Sequence, residues 1–177
     1  MAASLDAPGA KVTALWHRLH GLPGGRWLFS VLAGRTAPYT GTIGGRVQEF
    51  GGGRAVVTLR DRRGVRNHLN SVHAVALVNL GEMTSGLAMM SALPAGVRGI
   101  VTRLSCDYLK KARGTLTAET HTVLPEISAS IDHDVVAHIR DASGNEVARV
   151  TARWRLAPPK PAAPGAVADA AAVAAAR

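Results

Sequence analysis

Cysteine is nearly absent: Cys106 stands alone in 177 residues, so no intramolecular disulfide framework is possible and stability must come from an apolar core. No uninterrupted run of about 18 apolar residues occurs, which leaves no signal for a membrane-crossing helix. The N-terminus also lacks a basic region followed by an apolar stretch and cleavage site, and the expected location is the cytoplasm. Aromatic residues are few, three Trp, two Tyr and two Phe, and none interleaves with a basic run, which argues against a nucleic-acid module built on base stacking. Acidic residues are outnumbered as well. Twelve Asp and Glu against 21 Lys and Arg leave a formal net charge of +9, a surface that attracts anions such as nucleotides, CoA or acidic lipid without choosing among them. Large residues disappear after residue 156, where Pro158, Pro159, Pro161 and Pro164 sit among Ala, Gly and Val. That composition predicts a disordered Ala/Pro-rich tail over 157–177.

What is present suffices for one core: hydrophobic types make up 47% of the chain. Val12, Leu15, Leu19 and Leu22 recur at helical spacing beside Trp16, and Gly21, Pro23 and Gly24 break the pattern. A second helical stretch runs from Trp27 to Leu32, up to Gly34. Residues 1–37 are therefore expected to form an N-terminal helical extension that packs on the domain, lies on a membrane surface or closes over a pocket. Between Tyr39 and Arg60 the glycines Gly44, Gly45 and Gly51 to Gly53 punctuate two strand-compatible stretches, the signature of a hairpin. The longest helix candidate follows, from about Val72 to Ala92, with Ser71 or Asn70 as N-cap. Its apolar stripe of Val72, Ala76, Leu80, Met83, Leu87 and Met90 is broad, and Asn79, Glu82 and Gly86 gather at the edge. Cys106 reads as a small core residue. Four further strands are expected, over about 100–109, 115–124, 135–140 and 146–156. In the last of these Ala148, Val150, Ala152, Trp154 and Leu156 alternate with Arg149, Thr151, Arg153 and Arg155, so one face is wet or bound.

Two strands, one long buried helix and four strands describe an α+β domain in which an antiparallel sheet wraps around a single helix, and this order resembles the hotdog fold over about residues 38–156. The stretch Asn67-His68-Leu69-Asn70-Ser71-Val72-His73-Ala74, continued through Val75 to Glu82, looks like the helix-entry motif of hotdog thioesterases related to the phenylacetic-acid-pathway and acyl-CoA thioesterase members. In that family an Asn or His opens the motif, a His-Gly pair starts the helix, and an Asp or Glu follows about two turns later. The resemblance places Asn67, His73 and Glu82 at those positions. Ala74 stands where the family has glycine, a departure that keeps the backbone amide but adds a methyl group near an incoming carbonyl. The stretch Ser105 to Gly114 also looks like the family's strand with an aromatic residue, a basic turn and a glycine.

The chemistry implied is hydrolysis of an acyl-CoA or acyl-carrier thioester. Such a reaction needs a base or nucleophile and a donor aimed at the developing oxyanion. Glu82 suits the first role, and the backbone amide of Ala74 at a helix N-terminus suits the second. Asn67 is a candidate for positioning water or the carbonyl, and His73 for a hydrogen-bonding or basic role. Arg62, Arg63, Arg66, Lys110 and Lys111 are candidates for the CoA phosphates, arginine through its fork of donors and lysine as a point charge. Neither metal nor cofactor is expected, and a homodimer or homotetramer is. Two other readings stay open: a non-catalytic acyl-CoA or fatty-acyl binder in which Ala74 has impaired catalysis, and a hydroxyacyl-thioester dehydratase or hydratase using His68 and Glu82.

Overall fold

The structure is a computed structural model that describes residues 8–158; the rest of the predicted tail, 159–177, lies outside the described residues. Three helices come first: α1 (Pro8–Leu19), α2 (Gly25–Thr36) and the single turn α3 (Pro38–Gly41). The hairpin β1 (Arg46–Gly51) and β2 (Arg54–Leu59) follows, then the long helix α4 (Ala74–Ala92). Last come β3 (Arg98–Tyr108), β4 (Leu116–His121), β5 (Ile131–Arg140) and β6 (Glu146–Ala157). The strands form one antiparallel sheet in the order β1-β2-β4-β5-β6-β3, and α4 touches all six of them. This is the α+β hotdog arrangement expected from the order of elements.

The local chemistry explains most of the boundaries. Gly51, Gly52 and Gly53 all have positive φ at the β1–β2 turn, a conformation that side chains with a Cβ resist. At Gly53 a Cβ would also run into the carbonyl oxygen of Thr122. Helix α4 is buried on nearly every side, Leu80 and Ala88 completely, as its broad apolar stripe predicts. It lies so close to the sheet that a Cβ on Gly81 would overlap the side chain of Val150 on β6. The alternation in β6 holds: Val150 and Ala152 are buried, while Arg153 and Arg155 reach across the outer face in two-pronged bonds to Asp134 and Asp132 of β5 at 2.7–3.0 Å. The cationic face is thus paired within the sheet.

Several expectations need correction. Helix α4 starts at Ala74, two residues later than predicted, and its N-cap is His73, whose Nδ1 accepts from the Val75 amide at 3.1 Å. Neither Ser71 nor Asn70 caps it. The Ser71 hydroxyl donates to the Ala112 carbonyl at 2.8 Å, and Asn70 takes a left-handed φ of 53°, one of the few non-glycine types that tolerates it. Tyr39 belongs to α3 rather than to a strand, because Pro38 supplies the fixed φ of a first helical position. Cys106 is half-buried on β3, not sealed in the core. Helix α2 continues through Gly34 to Thr36. It is bound tightly to the domain, because the Ser30 hydroxyl accepts from the Val47 amide of β1 at 2.9 Å. Trp16, Phe29 and Phe50 meet with ring centroids 4.9–6.1 Å apart, edge-on or tilted, as aromatic quadrupoles prefer. The N-terminal helices therefore share the main core.

The contact at Gly81 generates a test. Gly81→Ala gains helix propensity but forces a methyl group into a β-branched neighbour held by a central strand, so a net loss of about 1 to 2 kcal/mol is expected. Urea unfolding measures it, and an alanine variant as stable as wild type would show that α4 has room to move away from β6.

Candidate functional site

Helix α4 presents one polar edge, and the first three helices close over it. Glu82 sits there half-buried, on the wall of an apolar cavity of about 180 Å³. Leu15 of α1, Phe29 and Leu32 of α2, and Leu87 and Met90 of α4 supply most of the apolar lining. The hydroxyl of Thr40 on α3 donates to Glu82 Oε2 at 3.4 Å, a long and weak bond. Gly86, one turn on, keeps the space beside the carboxylate open: a Cβ there would lie 3.9 Å from Glu82 Oε1 and 3.7 Å from the Trp154 ring. Burial pushes the Glu82 carboxyl above its ordinary value, with the Thr40 bond opposing only in part. Desolvation of the charged form is the cause. Two buried polar atoms near this edge have no partner among the described residues, Asn79 Oδ1 and Trp154 Nε1, while Asn79 Nδ2 donates to the Tyr39 carbonyl at 3.3 Å.

The helix entrance lies at the other end of the same edge. Asn67 builds the turn into α4: its Oδ1 accepts from the amides of Leu69 at 2.9 Å and Ser71 at 3.2 Å, which leaves Nδ2 as its free donor. His73 lines a separate cleft with Asn79 and Arg66. Since Nδ1 accepts the capping bond, the neutral ring carries its proton on Nε2 and offers a donor there. Ala74 is the first residue of the helix, so its amide has no intrahelical acceptor. Glu82 lies eight positions beyond Ala74, a rise of about 12 Å at the helical 1.5 Å per residue. The structure therefore brings Asn67, His73 and Ala74 to one end and holds Glu82 apart from them.

The predicted cations divide in the same way. Arg66 Nε bonds Asp61 at 2.6 Å, and that guanidinium, with the Gly114 amide, holds the Asp61 carboxyl below its ordinary range. Lys110 lies 3.7 Å from Asp141. Arg62 Nη2 donates to the carbonyls of Thr42 and Ile43 at 3.0 and 3.1 Å, bracing the loop after α3. Arg63 and Lys111 are exposed, in no ion pair among the described residues. Among the described residues no group of three or more His, Cys, Asp and Glu side chains is placed to hold a metal ion. Sequence reasoning missed Thr40 and the apolar cavity walls from α1 and α2. Pro38 was the available signal for the turn that carries Thr40.

Comparison with known proteins gives a family and a set of folds. A family model described as a domain of unknown function, DUF4442, matches residues 25–156, a span that takes in α2 as well as the sheet and α4. No curated protein matches the chain. A structural-genomics crystal structure is 28% identical, with 84% of this chain and 99% of that one covered at a TM-score of 0.73. A protein of unknown function and probable thioesterase from Pseudomonas aeruginosa is 20% identical, covering 77% and 96% at a TM-score of 0.66. A thioesterase from Staphylococcus aureus is 14% identical, covering 68% and 99% at 0.60. The chain shares the hotdog fold of these structures. No helix of the described residues is long and apolar enough to cross a membrane.

The raised Glu82 carboxyl fixes the sign of a pH effect. Its folded-state value lies above the ordinary 4.5, so its contribution to stability is fully present below that value and is lost as pH rises through the folded one. Glu82→Gln, which removes the buried charge, is expected to melt above wild type in mildly alkaline buffer, with the gap closing below pH 4.5. Melting curves of both proteins across pH read this out. A variant that melts lower in alkaline buffer would make Glu82 a structural partner instead.

Proposed function

The chain belongs to the DUF4442 family, a domain of unknown function, and from that premise we propose that it hydrolyses acyl-CoA-type thioesters with Glu82 as general base. The observation that supports this reading is a desolvated carboxylate on the wall of an apolar cavity. The cavity suits an acyl group: at about 180 Å³ it is somewhat larger than an apolar cavity of about 150 Å³ that accepts benzene. Burial makes the carboxylate a stronger base than a solvated one and keeps its value nearer neutrality, where general bases act best.

In the proposed reaction Glu82 takes a proton from water as the water oxygen bonds to the thioester carbon. The tetrahedral oxyanion then collapses, the C–S bond breaks, and the departing thiolate receives the proton held by Glu82. The products are a carboxylic acid and a thiol, and the carboxylate is restored. The oxyanion needs donors, and the Ala74 amide at the positive end of α4 has that character, with His73 Nε2 and Asn67 Nδ2 as further donors. A rise of about 12 Å prevents one helix from bringing Ala74 and Glu82 to the same carbon. We therefore place the complete site between two protomers, the Ala74 end of one facing the Glu82 of the other. Strand β3 supports this: it is an edge strand with Ile100 66%, Leu104 40% and Tyr108 52% exposed, a surface that folded proteins cover. The proposed setting is the cytoplasm, and the cations Arg62, Arg63, Arg66, Lys110 and Lys111 are the predicted phosphate-binding candidates.

A second reading, a non-catalytic acyl-CoA binder, is favoured by Ala74, whose methyl group stands where the resemblance to hotdog thioesterases implies glycine. Turnover on a panel of acyl-CoAs separates the two. Under the first reading Glu82→Gln folds normally and loses on the order of 100-fold or more in turnover; full activity in a well-folded variant refutes the base. Acyl-CoA binding by a wild type that turns over none supports the binder. Sedimentation at micromolar concentration is expected to show a dimer, and a strictly monomeric protein would remove the two-protomer site.

A further inference from the structure

A second cleft adjoins the apolar cavity at α3, lined by Pro38, Thr40 and Gly41. It offers about 700 Å³ of open space, and Gly34, Thr40 and Met83 line both spaces, so the cavity and the cleft meet at these three residues. Its character is opposite. Arg35, Arg46 and Arg62 line it and no acidic residue does; residues 7–48 contain no Asp or Glu at all. All three arginines are exposed, and none forms an ion pair among the described residues. Arg62 is pinned by the two carbonyls that its Nη2 holds, which leaves Nε and Nη1 for another acceptor. Trp27, 52% exposed, adds an aromatic face to the same lining.

Guanidinium forks match phosphate oxygens, and an exposed indole offers a stacking surface to a base. Together they describe a site for a nucleotide. We propose that this cleft holds the nucleotide end of a CoA thioester, with the phosphates on Arg35, Arg46 and Arg62, the purine against Trp27, and the pantetheine arm leading past Thr40 to the thioester beside Glu82. The assignment rests on the thioesterase reading for the direction of the ligand, and it narrows the predicted phosphate ligands to Arg62 while adding Arg35 and Arg46.

The test measures binding apart from turnover, with CoA and pantetheine as probes by calorimetry and tryptophan fluorescence. Arg62 is left unchanged because it braces the α3 loop. Wild type is expected to bind CoA at least about tenfold tighter than pantetheine, and Arg35→Gln/Arg46→Gln to lose about tenfold in CoA affinity and part of its salt dependence while melting as wild type does. Trp27→Ala is expected to lose most of the fluorescence response to CoA. The proposal is overturned if CoA and pantetheine bind alike, if the double arginine variant binds CoA as wild type does, or if Lys110→Gln/Lys111→Gln carries the loss instead. Failure of hydrolysis with arginine-dependent CoA binding would remove the thioesterase reading and keep this site; hydrolysis with arginine-independent CoA binding would do the reverse.

Discussion

The packing of α4 between the sheet and the first three helices is the constraint on which the remaining structure depends. Six strands touch it on one side, and α1, α2 and α3 cover much of what is left. A helix so enclosed must be apolar nearly all round, and its distance from the sheet is set by its smallest side chain. At Gly81 the helix comes so close to β6 that a Cβ would overlap the Val150 side chain. On the same helix Glu82 meets the Thr40 hydroxyl of α3 and Gly86 lies beside the Trp154 ring.

A carboxylate in this position works against the fold, since a charge deprived of water costs free energy unless hydrogen bonds replace the lost solvation. Among the described residues the replacement is one hydroxyl at 3.4 Å. An apolar residue would pack better, and its absence has the character of a functional site that trades stability for reactivity. Asn79 Oδ1 on α4 and Trp154 Nε1 on β6, both buried and without a partner among the described residues, add to that cost, so the polar edge of α4 and the strand beside it depart from an optimised core.

The order of elements and the edge of α4 that carries Glu82 were legible because both are local patterns: strand alternation in β6, a stripe at 3.6-residue spacing, and glycines at turns. What was not legible depends on packing at long range. Nothing in Leu15, Phe29 or Leu32 alone says that they wall a cavity with Leu87 and Met90. The cap was misread for a different reason: Ser71 and Asn70 are better capping types than His73, but tertiary contacts claimed the Ser71 hydroxyl for Ala112 and left the histidine ring to meet the Val75 amide. Asn67 shows the converse case, a motif residue whose oxygen is already occupied by its own turn.

The short turns β1–β2 and β5–β6 differ in sequence, three glycines against Asp141 to Asn145, and in their ties to the rest of the domain. At the β1–β2 turn, Gly53 donates its amide to Ser91 Oγ at the end of α4 and accepts from the Thr122 amide, 2.9 and 2.8 Å away, so this corner ties helix and sheet together. At the β5–β6 turn, Asp141 holds Ser143 and Asn145 within the loop and meets the exposed Lys110 outside it at 3.7 Å, and Gly144 faces open space. The second turn is accordingly the natural place to graft a fluorophore, an affinity peptide or a whole guest domain, whereas a graft at the first would pry the long helix from its seat.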